Sequence, residues 1–138
     1  MNRLDKIAVL TALVATILGI FGSREFPYEY YADQMLPGGL PVAIAGWSVT
    51  TYGPLIVSVT FWRLAKRLQP PRSLVLHLLY LPVAILVFRL GEAVMLALIT
   101  DPDFDATMSA PEMPALFALA VSTVAYFGAV ANRRNLKA

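Results

Sequence analysis

Arg89 and Glu92 are the residues of this chain best placed to do chemistry. They stand three apart inside a long apolar run, and a helix would bring them onto one face within reach of each other. A charge near the centre of a membrane helix costs about 2.5 to 3.5 kcal/mol on insertion scales, whereas each Leu, Ile, Val or Phe returns about 0.3 to 0.6. Insertion survives the pair. It could then serve as a substrate, ion or proton site, as a polar handle for a partner helix, or as a self-satisfied ion pair that fixes packing. Counting from the ends of the apolar runs places other polar groups near the same depth: Thr50, Thr51 and Tyr52, with Trp47 and Ser48 nearer Glu92, then Ser122, Thr123 and Thr16. Such hydroxyls ordinarily bond their own helix carbonyls or a neighbouring helix. Within Tyr52-Gly53-Pro54 the proline cannot donate to the carbonyl of Thr50, which predicts a kink, and Pro82 predicts another.

A second constellation is acidic. Asp101, Asp103, Asp105 and Glu112 fall at positions 1, 3, 5 and 12 of a stretch that resembles an EF-hand loop, with Met108 at the apolar eighth position. Ala106 stands where that loop has its turn glycine, and Pro102 and Pro111 restrict the backbone on both sides. A calcium site is the sharper reading of these carboxylates, and a solvated acidic loop is the expected one. A third cluster interleaves Phe26, Tyr28, Tyr30 and Tyr31 with Glu25, Glu29 and Asp33, which suits an interfacial aromatic belt.

Other chemistry has little support. The chain has no cysteine, so disulfides, thiolate metal sites and a cysteine nucleophile are excluded. Its single histidine, His77, excludes multi-histidine metal or haem ligation and lies about 18 Å along a helix axis from Arg89. No Ser, Asp or Glu is spaced to form a nucleophile–base pair with His77, which reads as an interfacial residue. Glu92 alone is a generic acid or base. There is no glycine-rich phosphate loop, and no cofactor is expected.

These groups need elements to hold them, and composition says which. Of 138 residues, 58% are hydrophobic and 14% charged, with a mean hydropathy of +0.65. An average soluble domain carries about 25% charged residues, so the chain belongs in a membrane. Four apolar runs predict helices over about 7–23, 41–62, 73–100 and 114–132, each near the length that spans a bilayer. The first could be a secretory signal peptide, but no small-x-small cleavage pattern closes it, and an uncleaved helix is expected. Small residues at Ala8, Ala12, Thr16 and Gly19, at Gly46 with Thr50, and at Ala125 with Ala129 mark faces of close helix approach, within the chain or between chains.

Charge sorting gives the orientation. The N-terminus, the 63–72 turn and the C-terminal tail hold Arg3, Lys6, Arg63, Lys66, Arg67, Arg72, Arg133, Arg134 and Lys137 against Asp5 alone. The segments 24–40 and 101–113 hold Arg24 against Glu25, Glu29, Asp33, Asp101, Asp103, Asp105 and Glu112. Lys and Arg are retained on the cytoplasmic side, so both termini are expected there and the two acidic segments outside. The net charge of +2 thus conceals a dipole across the membrane, unlike a nucleic-acid-binding surface.

The sequence therefore predicts an all-α membrane protein, one domain over 1–138, folded as a four-transmembrane-helix bundle with both termini cytoplasmic in a bacterial inner membrane. Its expected partners are membrane lipids and another membrane protein or further copies of itself. With so little mass outside the bilayer, the expected role is a non-enzymatic subunit of a larger membrane assembly. A small oligomeric transporter or channel using Arg89, Glu92, Thr50, Thr51 and Tyr52 is the alternative, and a membrane-embedded enzyme acting on lipid is third.

Overall fold

A computed structural model describes residues 2–21, 39–97 and 112–137. They form four helices: α1 (Arg3–Phe21), α2 (Leu40–Arg67), α3 (Arg72–Leu96) and α4 (Glu112–Lys137). Three of them, α2, α3 and α4, are long and apolar enough to cross a membrane. Their outer surfaces carry large aliphatic side chains, among them Leu78, Leu86, Leu90 and Val124, that water would not tolerate in such density.

Three of the four helices extend past the apolar stretches that predict them, whereas α3, expected over 73–100, spans Arg72–Leu96 and gives way to a turn at Ala97. α1 begins at Arg3 rather than 7, because the Asp5 amide donates to Asn2 Oδ1 at 2.9 Å while the Asn2 amide donates to Asp5 Oδ2 at 3.4 Å. This reciprocal arrangement is a capping box built from Asn and Asp. α2 continues past 62 to Arg67, so the expected turn over 63–72 shrinks to 68–71. Lys66 and Arg67 lie in its last turn, where cations complement the unpaired carbonyls. Arg133 of α4 adds a further cap by donating from Nη1 to the Ala65 carbonyl at 3.0 Å. α4 starts at Glu112, within the expected loop 101–113, and runs to Lys137 rather than 132. A charge ends an apolar run without ending a helix, since its side chain reaches water from the helix end. Pro41 sits in the first turn of α2, where its missing amide is harmless, while Pro54 and Pro82 lie inside helices that continue through them.

α2 and α4 each pack on all the other helices; α3 lies chiefly against α2, and α1 against α4 and α2. At the end bearing the 68–71 turn, Leu4, Trp62, Tyr80, Ala84 and Tyr126 form a buried cluster with Ala125 and Ala129 packed against it. A second cluster joins Ala15, Leu55 and Ala118, with Ala8, Ala12 and Tyr52 alongside. The small-residue stripes left open by the sequence are thus used within the chain.

Candidate functional site

The Arg89–Glu92 pair forms as the helical spacing requires, with Arg89 Nη1 donating to Glu92 Oε2 at 2.5 Å. Its two halves occupy different environments. The Glu92 side chain is 9% exposed, whereas that of Arg89 is 66% exposed on the outward face of α3. Leu86 and Leu90, on the same face, are 68% and 60% exposed. One residue before Glu92, Gly91 sets the depth of burial. A Cβ there would stand 2.6 Å from both the Gly46 carbonyl oxygen and the Thr50 amide nitrogen, and would also meet Thr50 Oγ1. α2 and α3 therefore cross with their backbones nearly touching, one residue before the buried Glu92.

Thr50 belongs to this crossing. Its hydroxyl donates to Gly46 O at 2.9 Å, with Phe88 O at 3.5 Å beyond, so backbone carbonyls of both helices engage it. Thr51 is fully buried beside it, and its Oγ1 has no hydrogen-bond partner among the described residues. The remaining members of the expected belt serve elsewhere. Tyr52 hydrogen-bonds Thr16 of α1, and Trp47 meets the Tyr52 ring edge-on at 5.7 Å. Trp47 also fills the space over Gly19, where a Cβ would come 2.6 Å from its Cζ2. Thr123 donates to Leu119 O at 2.8 Å, within its own helix. Ser122 meets Tyr80, whose hydroxyl donates to it at 3.3 Å. Tyr80 precedes Glu92 by about 18 Å of helix, so Ser122 lies well toward the turn end rather than level with the ion pair. Of the residues singled out in the sequence, the structure pairs Arg89 with Glu92 and, separately, joins Thr16, Tyr52 and Trp47, while Thr50 packs on α3 at Phe88 and Gly91.

Asp101, Asp103 and Asp105 lie outside the described residues. Glu112 is the first residue of α4, and its side chain is outside them as well. Among the described residues no three His, Cys, Asp or Glu side chains gather as a metal site would require.

Sequence reasoning missed a second site. Tyr80 and Tyr126 are fully buried and stack with centroids 4.0 Å apart and planes 13° from parallel. Phe61 and Phe127 meet the Tyr80 ring edge-on. His77, expected as a plain interfacial residue, is tied into this stack, since its Nδ1 lies 2.8 Å from the Tyr126 hydroxyl. The available signal was that His77 and Tyr80 share one helix face and Ser122 and Tyr126 another, but nothing in the spacing says that the two faces meet.

What the Arg89 site can do chemically follows from its asymmetry. Glu92, buried beside Gly91, orients and partly neutralises a guanidinium that is exposed on α3. A planar cation so presented matches a carboxylate, a phosphate or a carbonyl on whatever packs against α3. Compared with family models, curated proteins and solved structures, the chain matches none.

Proposed function

We propose that this protein is a non-enzymatic subunit of a larger assembly in a bacterial cytoplasmic membrane, and that the outer face of α3 is the side on which it meets its partner. The observation that carries this reading is the divided ion pair: Glu92 buried and Arg89 projecting between exposed Leu86 and Leu90. Ionisable residues within membrane-length helices generally face protein or a water-filled cavity rather than lipid. Two of the three hydroxyls that a transport path would use are instead engaged in packing, Thr50 on backbone carbonyls and Tyr52 on Thr16. In this reading α1 crosses the bilayer too, its 19 residues reaching about 28 Å. The basic ends of all four helices then face the cytoplasm, in keeping with the sorting of Lys and Arg.

The experiment is native mass spectrometry of the chain gently extracted from its own membrane. A stoichiometric foreign subunit is expected, and Arg89→Leu should release it while leaving the chain folded. Recovery only as a monomer or with copies of itself would refute the proposal.

A further inference from the structure

The turn end of the bundle contains a cavity of about 280 Å³ between residues 70–71, the first turns of α3 and the last turns of α4. Its polar lining is Ser73, His77, Arg133 and Arg134, its apolar wall includes Leu74 and Val130, and no Asp or Glu lines it among the described residues. Asp5, the one acid at this end among the described residues, is engaged elsewhere by Arg63 at 3.4 Å.

Two of the polar lining groups are placed, not merely near. Arg133 is anchored through Nη1 on the Ala65 carbonyl, which leaves Nε and Nη2 as donors. His77 is held through Nδ1 by Tyr126, which leaves Nε2 for a ligand. The cavity also lies at the N-terminal end of α3, where the helix dipole favours negative charge.

We propose that this cavity binds the phosphate of an anionic phospholipid. Arg133, Arg134, His77 and the Ser73 hydroxyl supply donors to the phosphodiester oxygens. The apolar part points to lipid rather than free phosphate: Leu74 and Val130 wall the cavity, and exposed Leu74 and Leu78 continue along α3 as a track for an acyl chain. Basic pockets between membrane helices on the cytoplasmic side are suited to such head groups. The site lies about 18 Å along α3 from Arg89 and is independent of the subunit proposal.

The test titrates the full-length protein in detergent with short-chain phosphatidylglycerol, short-chain phosphatidylcholine and inorganic phosphate, reading occupancy by native mass spectrometry. One phosphatidylglycerol per chain should bind about tenfold more tightly than phosphatidylcholine, and Arg134→Gln should weaken it about tenfold. Arg134 makes no hydrogen bond among the described residues, so its replacement leaves the Arg133–Ala65 cap in place. Arg67→Gln removes the same charge outside this cavity and should change affinity by less than about twofold. Leu74→Trp, which obstructs the cavity without altering charge, should also abolish preferential binding. Equal losses in Arg67→Gln and Arg134→Gln would overturn the proposal in favour of diffuse surface attraction. Equal affinity for the two lipids, undiminished binding in Leu74→Trp, or inorganic phosphate binding as tightly as phosphatidylglycerol would overturn it as well.

Discussion

Gly91→Ala tests the crossing that buries Glu92. The added methyl would stand 2.6 Å from the Gly46 oxygen and the Thr50 nitrogen. Ordinary contact begins near 3.5 Å, so the helices must separate by about 0.9 Å. Both atoms are backbone, and no rotamer change can clear them. Overpacking costs about 1 to 3 kcal/mol, with backbone contacts this short in the upper part of that range at about 2 to 3, while the better helix propensity of alanine returns about 1, leaving a net loss of about 1 to 2 kcal/mol. For a chain of this length that is a fall in Tm of roughly 3 to 10 °C, measured in detergent by tryptophan fluorescence. Gly128→Ala is the matched control, since a Cβ there meets nothing within 4 Å. It should leave Tm unchanged or raise it slightly. If the two variants shift Tm alike, or if Gly91→Ala is the more stable protein, the close approach of α2 and α3 is not what holds this region together.

Three further outcomes follow from the same geometry. In a double-mutant cycle of Arg89→Leu and Glu92→Leu, thermal unfolding should show a coupling of about 1 to 2 kcal/mol, because either single change strands the other charge; additive losses would contradict the pairing. Tyr126→Phe keeps the stack and removes the bond to His77, costing about 1 kcal/mol, whereas Tyr126→Ala empties a buried site and should cost about 3 to 5. Equal effects of these two substitutions would show that the ring contributes nothing beyond its hydroxyl. Asn2→Ala removes the cap of α1 and should cost about 1 kcal/mol, with amide exchange accelerated over the first turn and unchanged in α3.

The lengths of the apolar runs made the helices legible from sequence, and helical spacing the ion pair. The helix ends were not, because Arg63, Lys66 and Arg67 read as a turn while their side chains reach water from a continuing helix. Arg89 and Glu92 could be paired by spacing alone, but not divided into an outer and an inner partner. That division depends on which face of α3 meets α2, and Gly91 decides it through a contact with Gly46 and Thr50 some forty residues away. Gly46 and Thr50 were recognisable as small residues at helical spacing, yet their counterpart is a lone glycine with no pattern of its own. The polar belt failed as a single constellation for a related reason. Residues at one apparent depth point to different neighbours, as Tyr52 does toward α1 and Ser122 toward Tyr80.

The aromatic stack has a consequence beyond cohesion. Outside the stack, α3 and α4 approach each other little, since α3 leans on α2 and α4 on α1 and α2. Two rings lying nearly flat on one another therefore gauge the gap between these helices as much as they bridge it. The Tyr80–Tyr126 stack acts as a spacer between these helices, one turn from the cavity that His77 and Arg133 line.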